Sequence, residues 1–219
     1  MKKPFDLNAV YQPDSFVFTK ANQKRTAEII ALYPKGRQKS AVMPLLDLAQ
    51  RQTGEEGAKA KPVYGGWIPR AAMDHIADIL DMPPIKVYEV ASFYSMYNLA
   101  PVGQHLVQVC TTTPCWLNGS DGVMKACKSE LGIGHGETTK DGKFTVMEVE
   151  CLGACVNAPM VQINDDYYED LTKENMTALL KILGDGKKPD IGSQTGRKAS
   201  MPLGGPTTLQ DHAKKVGVV

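Results

Sequence analysis

Apolar residues recur at helical spacing through four short segments of the first 95 residues. The first segment begins after Thr19, which can cap its N-terminus, and ends before Pro34. The others begin near Ser40, Pro69 and Pro83. Because a short amphipathic helix cannot bury its apolar face alone, these segments predict a small helical bundle. Residues 53–66, between the second and third segments, are rich in Gly, Glu and Lys and predict a flexible loop.

The pattern changes near Pro101, where short alternating runs replace the helical spacing. Residues 106–109 and 144–149 are typical of strands, and residues 160–168 of a hairpin with its turn at 164–166. A helix is expected to begin at Ser120 or Asp121, and a last one to begin after Thr172 and end at Gly184. The order strand, helix, strand, strand, helix predicts a compact α/β unit with a small mixed sheet.

The chain beyond residue 186 is dominated by Gly, Pro, Ser and Lys, with isolated apolar residues. Such a segment cannot bury a core of its own, so it is either disordered or an arm laid on a partner. The predicted fold class is therefore α+β, with four parts. They are an N-terminal extension (1–18), a helical bundle domain (19–98), an α/β domain (99–186) and an extended C-terminal arm (187–219).

Composition and charge narrow the function. With 42% hydrophobic and 22% charged residues, the composition is that of a soluble globular protein. No apolar run approaches the roughly 20 residues of a membrane helix, and the chain start lacks the apolar core of a secretory signal. Residues 96–190 carry 8 basic and 13 acidic side chains, which argues against nucleic acid as the partner of this part.

Four of the five cysteines fall in two close pairs, and this is the strongest chemical signal in the chain. Cys110 and Cys115 are separated by four residues, and Cys151 and Cys155 by three, each pair after a predicted strand. Four thiolates on two loops suit a binuclear iron–sulfur cluster. The spacing also leaves open a zinc site, although it is not a typical zinc pattern, and redox or disulfide cysteines. Cys127 lies on the apolar face of a predicted helix and is expected to be a buried structural thiol.

Two features near the pairs bear on the redox potential. Small residues around the first pair can turn backbone N–H groups toward the sulfurs, and Gly153 indicates a close approach or a positive φ. Acidic residues should act in the opposite direction, because negative charge disfavours the addition of an electron. We therefore expect a low-potential one-electron carrier. The acidic residues are Glu148, Glu150, Asp165, Asp166, Glu169 and Asp170.

Three segments resemble the NuoE-type subunit family of respiratory complex I. They are Cys110-Thr-Thr-Thr-Pro-Cys115, Val149-Glu-Cys-Leu-Gly-Ala-Cys-Val-Asn-Ala-Pro-Met160 and Asn164-Asp-Asp-Tyr-Tyr-Glu-Asp-Leu171. Residues 33–46 and 91–97 resemble the same family, and the likeness runs from about residue 13 to residue 205. Residues 54–65 depart from it, by a stretch longer than expected.

The resemblance implies a helical N-terminal domain followed by a thioredoxin-like domain that holds one [2Fe–2S] cluster. It implies that Cys110, Cys115, Cys151 and Cys155 are the ligands. The implied partners are the flavoprotein subunit, which binds NADH and FMN, and the neighbouring large iron–sulfur subunit. The cluster would exchange one electron with that FMN. The chain would be part of a proton-translocating NADH:ubiquinone oxidoreductase, with no substrate chemistry of its own.

The family resemblance leaves several functions open. Related subunits occur in NAD-linked hydrogenases and formate dehydrogenases. The sequence is also compatible with a free-standing thioredoxin-like ferredoxin or with a zinc-stabilised structural subunit. For a complex I subunit, the expected location is the matrix side of the mitochondrial inner membrane or the cytoplasmic face of a bacterial membrane, in the peripheral arm.

Overall fold

The computed structural model describes residues 12–202, 204–205 and 207–217. Residues 1–11 of the predicted N-terminal extension lie outside this range. The described chain forms two compact units. One comprises the residues up to Leu106 together with Gly136–Thr145, and the other comprises Val107–His135 and the residues from Val146 onward.

The described residues form eight α-helices and six strands, with a 3-10 turn at Gln38–Ala41 and another at Cys155–Asn157. The helices are α1 (Lys20–Ala31), α2 (Val42–Gly57), α3 (Arg70–Leu80), α4 (Pro84–Phe93), α5 (Thr113–Leu117), α6 (Ser120–Leu131), α7 (Lys173–Gly184) and α8 (Gln210–Lys215). The strands are β1 (His105–Cys110), β2 (Glu137–Thr138), β3 (Phe144–Val149), β4 (Val161–Ile163), β5 (Asp166–Glu169) and β6 (Gly192–Ser193).

Helices α1–α4 confirm the predicted helical start of the chain, and they pack around one apolar core. Leu45, Leu46 and Ile76 in this core have no exposed surface. Thr19 caps α1 as predicted, because its hydroxyl accepts a 3.3 Å hydrogen bond from the amide of Asn22. The second helix, expected to begin near Ser40, begins two residues later at Val42, because Ser40 lies inside the 3-10 turn and does not cap the helix.

The predicted flexible loop over residues 53–66 is wrong in its first part, because α2 continues to Gly57. Thr53 is buried there, and its hydroxyl bonds both backbone groups of Trp67. Gly57 lies under Tyr64, where an added Cβ would come within 2.3 Å of the Tyr64 ring. The last turn of α2 therefore has the composition of a loop but is helical, because tertiary contacts stabilise it.

The mixed sheet predicted for the second half is present, with strand order β2-β3-β1-β4-β5-β6. Strand β4 is antiparallel to both β1 and β5, and β6 is parallel to β5. Helices α6 and α7 pack against each other. Thr172 and Asn175 form a reciprocal capping box at the start of α7, which confirms the predicted helix start.

The chain after residue 186 has more structure than the extended arm that its composition predicts. Gly192 and Ser193 form β6 beside Tyr168 and Glu169 at the edge of the sheet. The amide of Gln194 continues this pairing with a 2.9 Å bond to the carbonyl of Glu169. None of the described helices is long and apolar enough to cross a bilayer.

Candidate metal centre

The fold positions the four paired cysteines at the ends of two strands. Cys110 is the last residue of β1, and Cys115 lies in the short helix α5 that follows. Cys151 comes two residues after the end of β3, and Cys155 begins a 3-10 turn. The first pair is buried, whereas the second pair is exposed.

The sulfur atoms of the second pair lie 3.4 Å apart. Burial, followed by interaction with Cys110, raises the pKa of the Cys115 thiol, and the charge of Cys110 adds to the effect of Cys151 in raising the pKa of Cys155. Cys110 and Cys115 also share an apolar cluster with Met160, against which Leu152 and Ala154 of the second loop pack. The structure therefore brings the two predicted cysteine pairs into one neighbourhood.

Hydrogen bonds favour a thiolate at Cys110. Burial raises the pKa of this thiol, but bonds from the Thr112 hydroxyl, the amides of Thr112 and Leu152 and the thiol of Cys115 together lower it below its ordinary value. The Thr112 hydroxyl oxygen lies 3.3 Å from the sulfur. The amide of Leu152 joins the two loops directly, because it belongs to the second loop and donates to a sulfur of the first.

The thiols of Cys115 and Cys155 hold their protons more tightly than an ordinary cysteine thiol does, because the pKa of each is raised. Burial raises the pKa of Cys115 to about 12, with the bond to Cys110 adding to this effect and a bond from the Met160 amide opposing it. The neighbouring thiol of Cys151 raises the pKa of Cys155. A metal cation would reverse this preference, since a coordinated thiol loses its proton. Binding of metal at this site should therefore release protons.

Cys127 lies apart from this arrangement, on the buried face of α6 with Val123 and Ala126. Burial raises the pKa of its thiol to about 12, so it is protonated at neutral pH. In the part of the chain that the structure describes, no three His, Cys, Asp or Glu side chains are grouped to hold a single metal ion. The two thiol pairs nevertheless supply the donors that an iron–sulfur cluster requires.

The second loop depends on one glycine and one tyrosine. Gly153 has a φ of +91°, and an added Cβ would meet no atom within 4 Å, so backbone conformation rather than space requires glycine. The hydroxyl of Tyr167 donates a 2.7 Å bond to the carbonyl of Leu152. Tyr167 and the amide of Met160 were not identifiable from sequence, because the pairing of β4 with β1 and β5 brings them to the site.

Basic side chains offset part of the negative charge of the acidic residues around the site. Asp170 forms an ion pair with Arg197, and Asp166 lies 4.0 Å from Lys188. Glu148 accepts a 2.7 Å bond from the hydroxyl of Thr111, next to Cys110. Among the residues named from sequence, Glu148 is thus the acidic side chain that the structure ties most directly to the first cysteine loop.

A mixed sheet with flanking helices, and two cysteine loops at strand ends, define the class of protein. The profile of the thioredoxin-like [2Fe-2S] ferredoxin family matches residues 26–184, and the chain belongs to this family. The match confirms the thioredoxin-like fold and the [2Fe–2S] cluster expected from the resemblance. The same match favours a [2Fe–2S] cluster over a zinc ion as the metal centre of this chain.

Curated relatives narrow the family further. The chain is 55% identical over 169 residues to an NADH-quinone oxidoreductase subunit of Rickettsia bellii, covering 77% of this chain and 95% of the relative. It is 53% identical over 194 residues to the mitochondrial NADH dehydrogenase [ubiquinone] flavoprotein 2 of Dictyostelium discoideum, covering 89% of this chain and 74% of the relative. The resemblance seen in the motifs is therefore confirmed over most of the chain, in bacterial and mitochondrial proteins.

Among solved structures, a match at low sequence identity supports the fold alone. It is a crystal structure of NAD+-reducing [NiFe]-hydrogenase in the H2-reduced state, with a TM-score of 0.50 and 20% sequence identity. The match covers 55% of this chain and 20% of that chain.

Proposed function

We propose that this chain is the peripheral-arm electron-transfer subunit of respiratory complex I, with Cys110, Cys115, Cys151 and Cys155 as ligands of one [2Fe–2S] cluster. The observation that carries the proposal is the meeting of the two cysteine loops, where Leu152 and Ala154 of the second loop pack against the buried cluster that contains Cys110 and Cys115. The names of relatives at 55% and 53% identity support the assignment to NADH:quinone oxidoreductase.

When bound, a [2Fe–2S] cluster supplies one-electron redox chemistry. The chain's own residues hold it and adjust its environment. The amides of Leu152 and Met160 donate to Cys110 and Cys115, and such bonds stabilise electron-rich sulfur. The buried pair would anchor the site in the fold, while Cys151 and Cys155 would face outward. The net acidic charge of residues 96–190 favours a low potential.

The surface beside the ligands fits a protein partner. Trp116 and Leu117 directly follow Cys115 and are 57% and 69% exposed, and Val156 directly follows Cys155 and is 64% exposed. Contiguous exposed apolar patches mark interaction surfaces, and we infer that these three side chains form such a patch beside the cysteines. We assign this surface to the flavoprotein subunit that carries NADH and FMN, because an electron donor must approach the exposed cysteine pair.

The remaining parts of the chain serve assembly in this proposal. The helical bundle domain (19–98) and the arm (187–219) would contact neighbouring subunits, including the large iron–sulfur subunit, and residues 99–186 would carry the cluster. The complex would place the chain on the matrix side of the mitochondrial inner membrane or on the cytoplasmic face of a bacterial membrane. The chain itself would have no substrate chemistry and would act as a subunit of the oxidoreductase.

Metal analysis and redox spectroscopy test the proposal. Anaerobically purified protein should contain about two iron and two acid-labile sulfide atoms per chain, as a binuclear cluster requires. The dithionite-reduced protein should give one EPR signal, which Cys151→Ser removes. The midpoint potential should be low, and the protein should co-purify with an FMN-containing subunit. Zinc without sulfide, or a clearly positive midpoint potential, would contradict the proposal.

A further inference from the structure

Arg197 stands out because its charged side chain is almost buried in a segment whose composition predicts only an arm. Its side chain is 10% exposed, and that of its partner Asp170 is 5% exposed. One terminal nitrogen of the guanidinium bonds the Asp170 carboxylate. The other donates to the carbonyl of Val156 at 3.1 Å and to the side-chain oxygen of Asn157 at 3.0 Å.

These acceptors are the two residues that follow Cys155. Cys155, Val156 and Asn157 form the 3-10 turn, so the guanidinium bonds the turn that carries one of the proposed ligands. The side-chain nitrogen of Asn157 in turn donates to Ala199 at 2.9 Å and to Glu169 at 2.5 Å. The segment after β6 therefore contacts this turn through both Arg197 and Ala199.

The partner of Arg197 is held equally firmly. The hydroxyl of Ser193 in β6 donates a 2.6 Å bond to the second carboxylate oxygen of Asp170. The amide of Asp170 donates a 2.8 Å bond to the carbonyl of Asn157. Removal of one member of such a buried pair leaves an uncompensated charge, which strongly destabilises the fold around it.

We propose that Arg197 is a positioning residue for the cluster, and that the segment after β6 builds part of the cluster site. Cys155 is exposed to solvent at the first position of the 3-10 turn. The guanidinium bonds the backbone carbonyl of Val156 and the side chain of Asn157, directly after Cys155, which restrains the direction in which that thiol can point. This inference rests on the proposed role of Cys155 as a ligand. Groups that orient ligands in this way are typically worth about 10–100-fold in metal affinity or activity.

The full-length, cluster-containing protein is compared with its Arg197→Gln and Arg197→Lys variants. Arg25→Gln is the matched control, because Arg25 also pairs with a carboxylate, Glu28, but is 59% exposed. Release of iron to a chelator should be about 10-fold faster in Arg197→Gln. The rate of iron release should be intermediate in Arg197→Lys, which keeps the charge but cannot donate from two terminal nitrogens. It should be unchanged in Arg25→Gln.

The midpoint potential separates a positioning role from a general loss of stability. Loss of the cation in Arg197→Gln should lower the potential, and loss of the anion in Asp170→Asn should raise it. The double variant should return close to wild type in potential but still release iron faster. The double variant also allows iron release to be measured if Arg197→Gln alone does not fold, since it leaves no unpaired buried charge.

Iron release and potential that are unchanged in both Arg197→Gln and the double variant would overturn the inference. Cys155→Ser keeps this result separate from the proposed function. If Cys155→Ser abolishes the EPR signal while the Arg197 variants behave as wild type, Cys155 is a ligand and only the positioning role fails. If Cys155→Ser retains an unaltered cluster, the proposed ligand set itself is wrong.

Discussion

The hydroxyl of Tyr167 donates a 2.7 Å hydrogen bond to the carbonyl of Leu152, and the amide of Leu152 donates to the sulfur of Cys110. A side chain on β5 thus fixes the residue that joins the two cysteine loops. Tyr167 also packs against the apolar cluster around Cys110 and Cys115. Strand β5 therefore takes part in the geometry of the proposed cluster site.

Tyr167→Phe should remove the hydrogen bond to Leu152 while the proposed site still binds its cluster. The lost hydrogen bond is worth about 1 kcal/mol, and the freed Leu152 backbone would donate less effectively to sulfur. We expect faster release of iron to a chelator and a lower midpoint potential. Tyr168→Phe is the matched control, because the next residue of a strand faces the other side of the sheet. Equal shifts in the two variants would show that Tyr167 has no special role.

Local signals predicted much of the fold and the core of the site. Thr19 and Thr172 mark helix starts through their own side chains, and both caps are present. The cysteine pairs are local motifs, and their likeness to a known family suggested the cluster. These features depend on residues within a few positions of one another, so they can be recognised without tertiary structure.

Features that depend on tertiary contacts were not predictable in this way. The bonds of Tyr167 to Leu152 and of Arg197 to Val156 span 15 and 41 residues. Thr53 belongs to a segment with the composition of a loop, yet it lies in α2 because Trp67 supplies partners for its hydroxyl. In each case the deciding partner lies far away in the sequence, so neither composition nor spacing indicates it.

Cys127 and Cys115 offer a matched test of the ligand set, since both thiols are buried, at 0% and 1% exposure. Cys127→Ala should keep the full iron and sulfide content and cost about 1 kcal/mol of stability through the lost packing. Cys115→Ala should lose the cluster. Iron content and thermal unfolding measure the two effects separately. Loss of iron from Cys127→Ala in a folded protein would contradict the separation of this thiol from the other four.

Thr53 joins α2 to the segment before α3 through a single hydroxyl. This hydroxyl donates to the carbonyl of Trp67 and accepts a 3.0 Å bond from the Trp67 amide. Thr53→Val removes both bonds and leaves buried backbone groups unpaired, which should cost about 1–3 kcal/mol. Thr53→Ser keeps the hydroxyl and should cost less. Urea unfolding measures the difference, and equal losses in the two variants would show that the methyl group, not the hydroxyl, matters.

Tyr97 gives the helical unit a pH dependence with a defined sign. Its hydroxyl donates a 2.9 Å bond to the carbonyl of Met43. Burial, followed by the negative charges of Asp47 and ionised Tyr94, raises the pKa of Tyr97 to about 12 from 10.0. The folded state thus holds this proton more tightly than the unfolded state. The stabilisation is fully present below pH 10, falls as the pH rises above that value, and is lost near pH 12.

Tyr97→Phe removes both the hydrogen bond and the ionising group. At about pH 8 the variant should be less stable than the wild type by about 1 kcal/mol. Above pH 10 keeping Tyr97 protonated costs the wild type a growing amount of free energy, so the difference should shrink toward pH 12 and can change sign. Other tyrosines and lysines titrate in both proteins and largely cancel in the difference. Urea unfolding of the two proteins at several pH values measures it, and a difference that stays constant up to pH 12 would show that the folded state does not hold this proton more tightly.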